Sequence, residues 1–200
     1  MNHQIDKLTQ PNLQHAAKAL ANAFMTDPLQ QYVFPDEAER KERSLPHFSA
    51  VLQYGILFGE VYTTSDYGGA VVWLKPGETI VTPEKAELGG LAALPQTIGE
   101  APFTRFINVL DYADQFHKQD MNDPHWYTMV LGVDPASQGK GYGNALLQTR
   151  LEEAKSNNIP VYLETAQPRN VSFYKHMGFD LIREVVEPVS GIKMWTFIKK

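Results

Sequence analysis

The sequence predicts an α/β fold of the mixed α+β kind: one central mixed sheet with helices on both faces, not an all-parallel sheet. Three observations carry this. Residues 61–64 and 70–74 are rich in β-branched and aromatic side chains and flank a Gly-containing turn, which reads as a hairpin and hence an antiparallel pair. Residues 126–133, 139–157 and 160–165 run strand, helix, strand, the order that yields a parallel pair. Two further strand-like runs, 179–186 and 193–198, close the chain around Pro188-Val189-Ser190-Gly191. Strands therefore alternate with helices in only part of the order, which is why the sheet is expected to be mixed.

Residues 5–7 suit a short first strand. Thr9 is placed to cap an amphipathic helix that tolerates Pro11 in its first turn, with Leu13, Ala16, Ala17, Leu20 and Phe24 on one face. Asp27-Pro28 is expected to stop it. The charged stretch 36–43 begins a second helix, which Pro46 should interrupt and which resumes to about Gly59. Thr82-Pro83 opens a region, 82–122, of helices broken by Gly89-Gly90, Pro95 and Pro102. The apolar run 126–133 reads as a buried strand. In the helix that follows, Gly143, Leu147, Leu151 and Ala154 share a face. A short helix over 170–177 ends at Gly178, which suits the position just past a helix C-terminus.

A chain of 200 residues is expected to form a single domain, 1–200. Its 18 basic and 23 acidic residues give a net charge of −5, which disfavours binding to nucleic acid through phosphate neutralisation. The total conceals a division. Residues 1–137 hold 9 basic and 17 acidic residues, net −8, and residues 138–200 hold 9 and 6, net +3. No cysteine is present, which excludes disulfides, Cys-based metal sites and thiol nucleophiles and fits a reducing compartment. The six histidines have no close paired spacing, so no metal site is expected. The first residues lack a basic region leading into an apolar stretch, and no apolar run approaches the ~20 residues of a membrane span. A cytoplasmic protein that does not bind a membrane is the expectation.

The most informative segment is Gln138-Gly139-Lys140-Gly141-Tyr142-Gly143, between a strand and a helix. Glycines let backbone N–H groups approach a ligand without Cβ atoms in the way. The free N–H groups and positive dipole end of a helix start hold phosphate oxygens well. A tight strand-to-helix turn with glycines kept for packing fits the same spacing. A dinucleotide fingerprint fails because Asn144 stands where its last glycine would fall, and a P-loop fails because Lys140 is followed by Gly141.

Leu131-Gly132-Val133-Asp134-Pro135 followed by Gln138 to Gly143 resembles motif A of the GNAT superfamily of acyl-CoA-dependent N-acetyltransferases, a Gln/Arg-x-x-Gly-x-Gly/Ala turn after a strand. Leu163-Glu164-Thr165, Pro168-Arg169-Asn170, Phe173-Tyr174 and Met177-Gly178-Phe179 resemble motif B. Together with His125-Trp126-Tyr127 the set is similar to the puromycin N-acetyltransferase group. The strong match spans about 125–180, with motif A over about 131–157 and motif B over about 160–180.

The resemblance implies a mostly antiparallel GNAT-like sheet and acetyl-CoA as co-substrate, with no metal. It places the pyrophosphate on the N–H groups of Gln138, Gly139, Lys140, Gly141, Tyr142 and Gly143. The pantetheine arm would run along Leu131 and Val133 as an added strand, with Gly132 where a ligand or bulge comes close. Lys140 either pairs with a phosphate or is a solvated turn lysine. Asn170 either contacts CoA or caps its helix, and Phe173 either faces CoA or packs in the core.

Tyr174 occupies the family position of the general acid that meets the departing thiolate, with core packing as the alternative. Glu164, at the end of an apolar strand, is the candidate base or amine anchor, with an exposed strand carboxylate as the alternative. The strand before motif A lacks the glutamate that many members place there, which leaves the base open. His125 could take a proton but more often such a histidine is structural. Tyr32, Phe34, Tyr54 and the 82–122 region are candidate walls for the acceptor, with a surplus of core aromatics as the alternative.

The expected activity is direct transfer of acetyl to a primary amine of a small molecule, an acyltransferase reaction. A protein or peptide amine and a non-catalytic acyl-CoA sensor are the rival readings. The expected partner is the small-molecule amine acceptor, with homodimerisation left open. The basic half of the chain coincides with the CoA motifs, and the acidic half suits a cationic acceptor.

Overall fold

The computed structural model describes residues 3–200. A short strand, β1 (Ile5–Lys7), leads through a single 3-10 turn into α1 (Leu13–Ala23), α2 (Pro28–Val33) and α3 (Glu37–Phe58). The hairpin β2 (Gly59–Thr64) and β3 (Gly69–Leu74) follows. Next come α4 (Pro83–Leu88), α5 (Leu94–Ile98) and the long α6 (Glu100–Asp120). The last part of the chain runs β4 (Trp126–Val133), α7 (Tyr142–Ser156), β5 (Val161–Thr165), α8 (Arg169–His176), β6 (Asp180–Val186) and β7 (Lys193–Lys199). Among the described residues no helix is long and apolar enough to cross a membrane.

The seven strands lie in the order β1-β2-β3-β4-β5-β7-β6. Only β4 and β5 pair in parallel; every other neighbour is antiparallel. The mixed, mostly antiparallel sheet is the one expected. Side chains alternate across it, as the period-two pleat requires. Val71, Trp73, Val161 and Leu163 pack under Leu146, Leu147 and Leu151 of α7 and Tyr174 of α8. Ala70 and Val72 face the other way, against Leu20 of α1 and Phe48, Val51 and Leu52 of α3. Helices thus cover both faces.

Two prolines act otherwise than expected. Asp27-Pro28 ends α1 but also starts α2: Asp27 Oδ1 accepts from the Leu29 and Gln30 N–H groups, with Pro28 at the first helical position. Pro46 lies inside α3 without breaking it. The missing hydrogen bond falls on a turn where Lys41 and Glu42 are exposed, and the apolar contacts of Phe48, Val51 and Leu52 hold the helix on the sheet beyond it. Pro102 sits in the first turn of α6, where no intrahelical N–H bond is lost. β4 was expected to be buried throughout. Five of its eight residues are only partly covered, because one of its two edges loses its partner.

That loss creates the site. The β4–β5 ladder holds only at Trp126–Val161 and Tyr127–Tyr162. From Thr128 onward β4 pairs with β3 alone, at Val71–Leu131, Ala70–Gly132 and Gly69–Val133 among others. The strands splay, and the opening between them is lined by the ends of β4, α7 and α8.

Candidate active site

Two cavities meet in this opening. The first is an open groove of about 400 Å³ over the glycine turn, lined by Gly132, Val133, Gln138, Gly139, Gly141 and Gly143 among others. The second is a narrower cavity of about 180 Å³ between the sheet and the α2, α3 and α6 helices. Phe24, Asp27, Leu131, Asn170 and Tyr174 line both and form the junction.

The groove has the properties of an anion cradle. Gly139 and Gly141 adopt φ of +79° and +85°, the left-handed region in which a side chain is strained. A Cβ at Gly139 would meet nothing within 4 Å, so its backbone faces open space. Gly141 is the N-cap of α7 and no side chain caps that helix. The first N–H groups of α7 therefore lack intrahelical partners at the positive end of its dipole. Beside it, the β4 edge released by the splay offers strand backbone without a sheet neighbour. Free helix N–H groups and an unpaired strand edge together fit a pyrophosphate with a pantetheine arm.

The residues expected to hold CoA are not equivalent. Gln138 donates from Nε2 to the Val133 carbonyl at 3.1 Å, so its side chain ties the turn to the strand end. Gly132 is explained by packing: a Cβ there would lie 2.8 Å from Leu20 and 2.9 Å from Phe24 of the α1 side. Lys140 is exposed, its Nζ 3.5 Å from Ser137 Oγ and 5.7 Å from the Tyr142 ring centroid. It is absent from the groove wall, unlike its glycine neighbours. Tyr142 donates to Asp66 Oδ2 at 2.7 Å, which fixes the turn against the β2–β3 hairpin. Phe173 lies under Gly143 and reaches the groove. Asn170 does not cap α8; it sits in the first turn, donates to Thr165 Oγ1 at 3.2 Å, and lines both cavities.

Tyr174 is held by the core, against Phe179 and Phe197, with the phenol reaching the junction. Core packing and a position at the site hold together. Burial, then the nearby Asp27 carboxylate, push its phenol well above the usual range, so it stays protonated. Glu164 is not an exposed strand carboxylate. It is partly buried in the inner cavity, where Oε1 accepts from Tyr127 Oη at 2.7 Å and Oε2 has no partner. Burial raises its pKa to about 7, and the bond from Tyr127 opposes that rise only in part. A carboxylate poised there suits proton abstraction near neutral pH.

His125 lies away from the site. Its Nδ1 lies 2.7 Å from the Asp123 carbonyl and its Nε2 2.7 Å from His117 Nε2. A carbonyl only accepts, so His125 carries its proton on Nδ1 and His117 donates across the pair. The pair is buried and structural. Phe34 and Tyr54 are fully buried, and Tyr32 packs on the cluster around Val109 and Met194. None of the three lines the inner cavity; Phe106, Val109, Leu110 and Ala113 of the 82–122 region do.

Four site residues escaped the sequence reading: Asp27, Gln30, His47 and Tyr127. Asp27 sits at the junction, and burial raises its carboxyl to about 6 against the pull of two helix N–H groups and Arg169. Its signal lies in Asp27-Pro28, a cap followed by a first-position proline, which starts α2 as well as ending α1.

Residues 106–179 match the model of the Acetyltransferase (GNAT) family. An uncharacterised N-acetyltransferase of Schizosaccharomyces pombe is 28% identical over 170 residues, covering 82% of this chain and 69% of that protein. Among solved structures, the fold resembles that described as histone acetyltransferase HPA2 and related acetyltransferase from Corynebacterium glutamicum. That match has a TM-score of 0.64 and 21% identity over 100% of this chain and 96% of that one. It also resembles the polyamine N-acetyltransferase of Drosophila melanogaster, with a TM-score of 0.60 and 17% identity over 98% of each chain. The fold is that of the GNAT acetyltransferases.

Proposed function

We propose that this chain transfers an acetyl group from acetyl-CoA directly to a primary amine of a small molecule. The observation that carries the reading is the meeting of an anion-cradling groove and a carboxylate-bearing inner cavity at Tyr174. Acetyl-CoA, when bound, supplies the activated thioester. The residues that would hold it are the backbone groups of Leu131 and Val133 and of Gln138 to Gly143, with Asn170 and Phe173 beside them.

Glu164 takes the proton of the incoming ammonium, directly or through water, and so frees the lone pair that forms the new C–N bond. Asp27 adds a second carboxylate near the junction, and no Lys or Arg lines the inner cavity. Its field favours a cation, which brings the ammonium to Glu164. As the C–S bond breaks, charge gathers on sulfur, Tyr174 is placed to donate a hydrogen bond to it, and the second proton shed by the attacking nitrogen converts the departing thiolate to the thiol. A phenol held above its usual ~10 is a weaker acid than a thiol of ~8.5. The contribution of Tyr174 is therefore mainly the hydrogen bond at the moment of charge development, as with other preorganised donors.

The volume of the inner cavity, about 180 Å³, supports a small acceptor over a protein side chain. The test is a screen of small amines for acetyl-CoA-dependent thiol release. Release with at least one amine, lost in Glu164→Gln, is expected; no release with any amine overturns the reading.

A further inference from the structure

The inner cavity has a polar end that acetyl transfer itself does not use. Gln30, on α2, is 3% exposed, and its Nε2 lies 3.3 Å from Nδ1 of His47 on α3. Its Oε1 has no hydrogen-bond partner. His47 is 1% exposed, stacked on Phe48 at 5.1 Å and edge-on to Phe106 at 4.7 Å, so its ring cannot turn away. Both side chains line the cavity. His47 therefore holds one half of the Gln30 amide and leaves the other half bare. A bare buried amide is unfavourable unless something arrives to satisfy it. Thr128 Oγ1, on the β4 wall of the same cavity, is likewise buried without a partner.

We propose that Gln30, oriented by His47, determines acceptor specificity by binding an uncharged hydroxyl or amide carried on a short apolar primary amine, at the end remote from the reacting nitrogen. This rests on the acetyl-transfer reading above and adds the substrate class. The body is apolar because Phe48, Val51, Phe106, Val109 and Met194 surround it. It is short because about 180 Å³ is little more than the ~150 Å³ cavity that holds a benzene ring. An anionic group finds no Lys or Arg on the wall. A second ammonium finds only Asp27 nearby, whose Oδ1 already accepts from two backbone N–H groups. A charged group would give up its hydration for one neutral amide, which is unfavourable. A hydroxyl or amide exchanges like for like and relieves the bare half of Gln30.

The experiment compares kcat/KM, by thiol release, across amines that differ only at the far end: pentylamine, aminopentanol, cadaverine and aminopentanoate, with tyramine against phenethylamine as a second matched pair. The hydroxylated member of each pair should be preferred roughly 5- to 100-fold, with cadaverine and aminopentanoate the poorest. Gln30→Leu should bring aminopentanol and pentylamine within about 3-fold of each other while still acetylating pentylamine. Gln30→Glu keeps the size, replaces the amide donor by an oxygen that His47 meets through the tautomer protonated on Nδ1, and should move the preference to cadaverine. Equal use of the matched pairs by the unaltered protein, or a hydroxyl preference that survives in Gln30→Leu, overturns the assignment and leaves acetyl transfer intact. Absence of thiol release with every amine overturns the acetyl-transfer reading and this one with it.

Discussion

Tyr127 Oη donates a 2.7 Å hydrogen bond to Oε1 of Glu164, inside a cavity whose wall, among the described residues, carries no Lys or Arg. Burial pushes the carboxyl up to about 7, and Tyr127 pulls it part of the way back. A base must be ionised to act, so kcat/KM should rise with pH through about 7. Tyr127→Phe removes a hydrogen bond to a charged acceptor, worth ~1.5–3 kcal/mol. The ascending limb should then move up by on the order of one pH unit. Glu164→Gln should lower kcat/KM by ~10²–10⁴-fold and remove the limb. A limb still centred near 7 in Glu164→Gln would assign the titration to another group.

Tyr174→Phe deletes one hydroxyl from a ring held by Phe179 and Phe197. Stability should change little, because the ring contacts with Phe179 and Phe197 are kept. The affinity for acetyl-CoA, measured by calorimetry, should stay within about 3-fold. Turnover should fall by ~10²–10³-fold, the usual loss of a preorganised donor to developing charge. Unchanged turnover would leave Tyr174 with packing alone.

The glycine turn can be tested against a matched control. Gly139 and Gly191 both adopt left-handed backbone, at φ +79° and +71°, and a Cβ at either would meet nothing within 4 Å. An alanine at either position should cost about 1–2 kcal/mol in denaturant stability. Only Gly139→Ala places its methyl in the groove. Acetyl-CoA affinity should drop at least ~10-fold there and stay unchanged in Gly191→Ala. Equal affinities in the two variants would move the pyrophosphate off the turn.

The sequence made some of this legible and hid the rest for identifiable reasons. The strand–turn–helix around Gly139 and Gly141 and the positions of Glu164 and Tyr174 rest on local patterns, and local patterns survive folding. The mixed sheet was legible for the same reason, since the hairpin and the strand–helix–strand unit are each contiguous. The inner cavity was not. Gln30, His47, Phe106 and Tyr127 come from four separate elements, α2, α3, α6 and β4, and no spacing joins them. Pro46 misled because the penalty of an internal proline is local, whereas the contacts that keep α3 whole are made with α1 and the sheet. Glu164 was ambiguous because burial, not residue type, separates a poised base from a surface carboxylate.

The same buried groups set how stability responds to acid, and they oppose one another. His117 is lowered to about 4, first by burial and then by the charge of His125. The unfolded chain, with histidine near 6.5, takes up a proton between pH 6.5 and 4 that the native protein refuses. His117 therefore makes stability fall as pH falls through that window. Glu164 runs the other way. Raised to about 7 from an unfolded value near 4.5, it binds a proton in the native state first, so its contribution grows as pH falls from 7 to 4.5 and is lost as pH rises through 7. Urea denaturation between pH 8 and 4.5 should separate them. Glu164→Gln should be more stable than the unaltered protein at pH 8, by on the order of 1–3 kcal/mol, and should lose stability more steeply on acidification. His117→Gln should flatten the acid loss. Slopes that move together in the two variants would show that the two groups do not titrate in opposite senses, and the assignment of Glu164 as a base held half-protonated near neutral pH would fall with them.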